Sequence, residues 1–162
     1  MKFFLILLSS LLLSLFACKQ TRSTETTPII NPTTTEAPQP FVSMSKTPCY
    51  GKCPSYTLTI FNNGHLVYHG KRFVEKEGIY DGTITADQLT LIKEKIDAVH
   101  FFELSSKYDN QATDIPSCII EVNLNGKTKK ITDRVGAPKE LKELEKLIEE
   151  LVFNAELKKA EE

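Results

Sequence analysis

The sequence contains no tryptophan and only three histidines in 162 residues. Without tryptophan it lacks the largest aromatic surface for stacking sugars, so a glycoside hydrolase is a poor fit. It also lacks an excess of charge of one sign, because 20 Lys and Arg face 21 Asp and Glu. No nucleic-acid partner is therefore expected. No phosphate-binding loop, dinucleotide fingerprint, nucleophile elbow or zincin motif occurs. We predict no cofactor, metal or catalytic residue, and the sequence favours a non-enzymatic protein without deciding the question.

The one long apolar run lies at the N-terminus and extends from Phe3 to Phe16. It is shorter than the roughly 20 residues that span a bilayer and is typical of a secretory signal. The run ends in LFAC, which resembles a bacterial lipobox. This resemblance implies a signal peptide at residues 1–17 and lipidation of Cys18, which would attach the protein to a membrane. The alternative is a plain secretory signal with a cysteine by chance.

The position after Cys18 is Lys19, not the Asp that retains lipoproteins at the inner membrane. We therefore expect a cell-envelope protein at the outer membrane, facing either the periplasm or the cell surface. Residues 18–40 contain seven Thr and four Pro and show no periodicity, which predicts a disordered tether after the lipidated cysteine. Residues 41–162 are predicted to form a single α+β domain.

Strand patterns occur at the start of this domain. Residues 42–45 alternate briefly, and residues 55–61, SYTLTIF, alternate clearly. A three-residue loop with Gly64 in the left-handed conformation pairs Ile60 with Leu66 and collects the apolar side chains of two strands on one face.

Two helices and a second hairpin follow. Residues 72–84 are predicted to contain one or two short strands, and the capping box TADQ begins a helix that ends near His100. An Asn-Gly turn follows the strand at 118–124, and the last helix starts near Pro138. The sequence predicts an α+β fold: a mostly antiparallel sheet of about five or six short strands with two helices packed on one face.

Three cysteines remain in the domain when Cys18 is assigned to lipid. In an oxidising envelope a cysteine pair is most often a disulfide. The CYGKC loop can bring Cys49 and Cys53 within the roughly 4.4–6.8 Å between α-carbons that a disulfide requires. We predict this bond, and we expect Cys118 to be a small buried residue.

The same pair permits a second interpretation. The order Cys-x-x-x-Cys-Pro resembles the copper-binding motif of thioredoxin-like assembly proteins for cytochrome oxidase, and two thiolates with a distant histidine suit Cu(I). In those folds the motif begins a helix, which lowers the pKa of the first thiol. Here Pro54 leads into a strand instead. A thiol redox or copper-handling protein is the alternative function.

Three segments together resemble a known family. They are TPCYGKCPSY at 47–56, TDIP at 113–116 and GAPKEL at 136–141. In this order they resemble an uncharacterised domain family found in lipoproteins of Bacteroidetes-type bacteria. The family often has Arg at the position of Lys46 and lacks a cysteine at that of Cys118. The resemblance supports the fold and the compartment and implies no activity.

The candidate site residues lie in loops. Tyr50 and Lys52 lie between the paired cysteines, and Asp114 lies in the TDIP segment. His65 and His69 are about 13 Å apart on a strand, too far to chelate one metal. We predict a lipid-anchored envelope protein that is a non-enzymatic binding or interaction module for an unknown envelope protein or component.

Overall fold

The computed structural model describes residues 37–110 and 114–161, which all lie in one compact unit. The predicted signal peptide, the lipidation site Cys18 and most of the predicted tether lie outside the described residues. No helix in residues 37–110 or 114–161 has the length and apolarity needed to cross a membrane. The strands are β1 Pro40–Lys46, β2 Ser55–Phe61, β3 His65–Arg72, β4 Gly78–Thr83, β5 Lys107–Tyr108, β6 Cys118–Leu124, β7 Lys127–Asp133 and β8 Lys158–Lys159. The helices are α1 Ala86–Ala98 and α2 Lys139–Phe153, with a 3-10 turn at Phe101–Glu103.

The fold is α+β, but its sheet is larger than predicted. The eight strands follow the order β5-β7-β6-β1-β2-β3-β4-β8. All pairings are antiparallel except that of β5 with β7, which is parallel. The predicted α+β class with two helices is therefore confirmed, whereas the prediction of a mostly antiparallel sheet of about five or six strands was wrong in the strand count, because the sheet has eight strands and is mixed.

The added strands lie at the two edges and have two residues each. Two residues are too few to show an alternating pattern, so the sequence does not predict these strands. Backbone hydrogen bonds continue these short pairings. The N–H of Thr132 donates to the carbonyl of Ser106 at 2.9 Å, and the N–H of Ala160 donates to that of Ile79 at 2.9 Å.

Both predicted hairpin registers are confirmed. Ile60 pairs with Leu66 across the first turn, where Gly64 has a φ of +86°. A Cβ at this glycine would lie 2.4 Å from the carbonyl oxygen of Ile84, so no other residue fits without a shift. In the second hairpin Leu124 pairs with Lys127 around the Asn-Gly turn. The capping box at the start of α1 is also present.

Both helices lie on one face of the sheet. The buried side chains of α1 and α2 form a single core cluster with one set of alternating strand residues. The stripe of α2 differs from a purely apolar one, because Glu145 lies on its buried face and is only 2% exposed. Asp133, at the end of β7, is 1% exposed. Buried carboxylates need hydrogen-bond or ion-pair partners, so polar groups are expected at this end of the sheet.

Candidate binding cleft

A cleft of about 590 Å³ lies near the ends of β1 and α2. Its volume falls in the range of roughly 300–1,000 Å³ that is typical of small-molecule sites. We call it the aromatic cleft, because four of the side chains that line it carry aromatic rings. Its lining residues are Lys46, Pro54, Tyr56, Tyr68, Phe73, Val74, Glu75, Lys76, Pro116, Glu149 and Phe153.

The floor of the cleft is part of a single cross-strand row. Residues that pair directly with one another share one face of a sheet, and this row faces α2. It crosses β7, β6, β1, β2, β3 and β4 in turn. Its members in that order are Asp133, Cys118, Lys46, Tyr56, Gly70 and Gly78.

Helix α2 places a matching line of side chains along this row. Glu145, Glu149 and Phe153 follow one another at four-residue intervals, so they lie on one side of the helix. The hydroxyl of Tyr56 donates a hydrogen bond to Oε1 of Glu149. Nζ of Lys46 lies 3.2 Å from the same oxygen. One helix carboxylate thus holds two neighbouring residues of the row.

The polar groups continue from the cleft into the core. Lys142 forms an ion pair with the buried Asp133 and lies 3.6 Å from Oε2 of Glu145. The thiol of Cys118 interacts with the carboxyl group of Glu145. Burial and the neighbouring carboxylates, chiefly Glu145, raise the pKa of Cys118, so the thiol stays protonated near neutral pH.

The two cleft residues beside Glu149 also keep their protons. Burial and the hydrogen bond to Glu149 raise the pKa of Tyr56. Burial opposes the charge on Lys46, whereas the carboxylates of Glu149 and Glu145 and the hydrogen bond to Glu149 favour it. The net effect raises the pKa of Lys46. The cleft therefore presents a neutral phenol and an ammonium group near neutral pH.

Aromatic rings form the apolar side of the cleft. The ring of Phe153 lies edge-on to those of Tyr56 and Tyr68, with centroids 5.5 and 5.8 Å away. The two tyrosine rings are 5.7 Å apart. Although Phe153 joins this cluster, it is 48% exposed, so it offers a free aromatic surface at the end of α2.

The loop between β3 and β4 forms one lip of the cleft. Its backbone folds closely over Gly70, where a Cβ would lie 1.8 Å from the carbonyl oxygen of Lys76. Phe73 in this loop is 45% exposed and has a φ of +55°. Bulky residues rarely adopt this left-handed conformation, and such strain is concentrated at functional sites. The Arg72 guanidinium lies 5.1 Å from the Phe73 ring centroid.

The predicted disulfide is present beside the cleft. Cys49 and Cys53 are bonded, with α-carbons 5.6 Å apart. The loop that they close presents Tyr50, which is 95% exposed. Lys52 and Asp114 are also exposed. The three predicted loop residues are therefore accessible, but none of them lines the aromatic cleft.

Three main residues of the cleft were missed by sequence reasoning. Lys46 and Glu149 look like ordinary surface charges, and only the pairing of β1 with β2 below α2 brings them together. Phe153 carried a usable signal, because it departs from the apolar stripe of its helix. An aromatic residue outside such a stripe indicates an exposed contact.

His65 has a local contact on the sheet face opposite the helices. Nε2 of His65 lies 3.0 Å from Oδ1 of Asp81 on the adjacent strand. Within residues 37–110 and 114–161, no group of three or more His, Cys, Asp or Glu side chains is placed to hold a metal ion.

The fold and the site together define a small α+β domain with an aromatic cleft beside a disulfide loop. The chain belongs to DUF6438, a family of domains of unknown function, which it matches over residues 40–152. This range contains every cleft residue except Phe153, which follows it directly. No curated protein and no solved structure matches the chain.

Proposed function

We propose that this protein is a lipid-anchored binding module of the cell envelope and that the aromatic cleft is its binding site. The observation that carries the proposal is the composition of the cleft. Exposed aromatic surface from Phe73 and Phe153 lies beside the Lys46–Glu149 pair in one cavity. Apolar walls with a few convergent polar groups are typical of ligand sites.

The chemistry of the cleft supports binding more than nucleophilic catalysis. An activated nucleophile needs a lowered pKa or an adjacent free base. Tyr56 and Cys118 instead have raised pKa values, and the carboxylate beside Tyr56 is also held by Lys46. These groups stabilise one another and are suited to orienting a ligand.

The membrane anchor rests on the sequence pattern around Cys18. The apolar run, the LFAC sequence and the Thr- and Pro-rich segment 19–40 support an exported, lipidated chain whose domain is held away from the bilayer. Intact mass measurement of the chain purified from bacterial membranes tests it. We expect a chain that starts at Cys18 and carries the added mass of its acyl groups, and an unmodified cysteine would overturn the anchor.

Photolabelling tests the cleft. The full chain, purified from membranes, is irradiated with benzophenone, an uncharged aromatic ketone, and the adducts are mapped by mass spectrometry. We expect adducts concentrated on the cleft residues Phe73, Phe153 and Lys76. The variant Phe153→Ala should reduce this labelling about threefold or more, because one ring of the wall is lost.

A matched control is Leu91→Ala. Leu91 lies on α1 and is 45% exposed, close to the 48% of Phe153, but it does not line the cleft. Labelling of this variant should equal that of the unaltered chain. Adducts spread evenly over the surface, or equal effects of both substitutions, would refute the cleft as a binding site.

A further inference from the structure

We infer that the ligand of the aromatic cleft is an uncharged stretch of polypeptide. One apolar side chain enters between the rings, and one main-chain amide contacts Lys46 and Glu149. This inference rests on the proposed function, because it names the class of partner for the same cleft.

The polar pair at the floor complements an amide. The contacts of Glu149 with Tyr56 and Lys46 all involve Oε1, so in the described part of the chain Oε2 remains to accept another hydrogen bond. The ammonium group of Lys46 has three N–H donors and contacts one oxygen of Glu149. A donor and an acceptor therefore lie side by side, and an amide presents the matching carbonyl and N–H.

The same pair disfavours charged ligands. A ligand carboxylate that paired with Lys46 would leave Glu149 without its cation. It would also be repelled by the buried carboxylate of Glu145. A cation that took Glu149 would leave Lys46 unpaired. Both side chains are only about one-quarter exposed, at 26% and 25%, so loss of either partner is poorly compensated by water. A neutral ligand leaves the ion pair intact.

The apolar surface extends past the cleft, which favours a chain over a small molecule. The described residues include six exposed large apolar side chains. Four of them lie in the cleft or in loops that contribute residues to its lining. Phe73 and Phe153 line the cleft, while Tyr50 and Ile115 lie in the two loops that supply its prolines. Exposed aromatic side chains around a pocket are typical of protein-recognition surfaces.

Competition against benzophenone labelling of the full chain tests this inference. The probe is the blocked tripeptide acetyl-Ala-Phe-Ala-amide. The comparison compounds are acetyl-Ala-Asp-Ala-amide, N-acetylphenylalanine with its free carboxylate, and tri-N-acetylchitotriose. We expect the phenylalanine tripeptide to compete at a concentration about tenfold lower than any of the others, which corresponds to about 1.4 kcal/mol.

N-methylation isolates the contribution of the amide. Methylating the tripeptide at one amide nitrogen at a time removes one N–H donor and keeps the apolar side chain. We expect one of these methylated peptides to compete about tenfold more weakly, because Glu149 then lacks its donor. Competition that is unchanged for every methylated peptide would show that the ring alone is bound and would overturn amide recognition.

The possible failures are distinguishable. If benzophenone does not label the cleft at all, the proposed function itself fails. If it labels the cleft but tri-N-acetylchitotriose or the free carboxylate competes best, the cleft binds a ligand and the polypeptide inference is wrong. If the tripeptide competes with benzophenone equally well on the Phe153→Ala and Leu91→Ala proteins, the tripeptide binds outside the cleft and the inference is also wrong.

Discussion

At the residue scale, Phe73 has a strained backbone conformation although its side chain is exposed beside the cleft. Its backbone has a φ of +55°, which disfavours an L-residue by about 1–2 kcal/mol relative to right-handed conformations. Nearly half of its side chain is exposed, so burial does not explain this conformation. The ring instead forms part of the cleft lining.

Replacement Phe73→Asn separates binding from stability. Asn tolerates the left-handed conformation, so we expect the free energy of unfolding to rise by up to about 1 kcal/mol. Benzophenone labelling of the cleft should fall, because one wall is removed. Denaturant unfolding and photolabelling measure the two effects. A loss of more than about 1 kcal/mol would instead identify Phe73 as a packing residue, and unchanged labelling would remove it from the site.

At the scale of elements, the disulfide loop constrains the connection between β1 and β2. These strands supply Lys46 and Tyr56 to the cleft, and the bond closes the loop between them. A loop this short limits little chain entropy in the unfolded state. The double variant Cys49→Ala, Cys53→Ala should therefore lose no more than about 2 kcal/mol of stability.

Benzophenone labelling of the cleft should also be weaker in this double variant. The control Tyr50→Ala, in the same loop, should have the stability of the unaltered chain. Unfolding curves of the three proteins provide the comparison. A complete loss of folding would contradict this limited role. Alkylation of the denatured chain without reductant should modify the buried Cys118 and spare the pair. A pair that glutathione readily reduces would favour the alternative redox function.

The predictable elements were those with a repeating pattern. Strands β2 and β6, both hairpin registers and the two helices could be predicted because alternation, turn chemistry and capping act within a few residues. The edge strands β5 and β8 could not, since their two residues depend on tertiary pairing. The cleft joins Lys46 to Glu149 across about one hundred residues of chain, a proximity that no local pattern encodes.

At the scale of the whole molecule, the buried carboxyl group of Glu145 makes the free energy of unfolding depend on pH. Glu145 lies on the buried face of α2, among Asp133, Lys142, Lys46 and Cys118. Burial raises its pKa above the ordinary value of 4.5, against the attraction of Lys142. The folded chain therefore holds this proton more tightly than the unfolded chain. The resulting stabilisation is fully present below about pH 4.5 and is lost as pH rises through the higher pKa of the folded state.

The variant Glu145→Gln removes this titration and keeps the shape of the side chain. We expect it to match the unaltered protein near pH 4.5 and to become the more stable of the two as pH rises toward neutrality. Denaturant midpoints measured across this range give the difference, with the exposed Glu140→Gln as the control. A variant that loses stability relative to the unaltered chain as pH rises would show that the ionised carboxylate is favourable.

Recognition of polypeptide by the aromatic cleft should change the hydrogen–deuterium exchange of the full chain. The exchange is measured with and without acetyl-Ala-Phe-Ala-amide. We expect the peptide to slow exchange in the β3–β4 loop, the disulfide loop and the last turn of α2, and to leave α1 unchanged. Protection confined to α1 or to the sheet face opposite the helices, or no protection at saturating peptide, would contradict it.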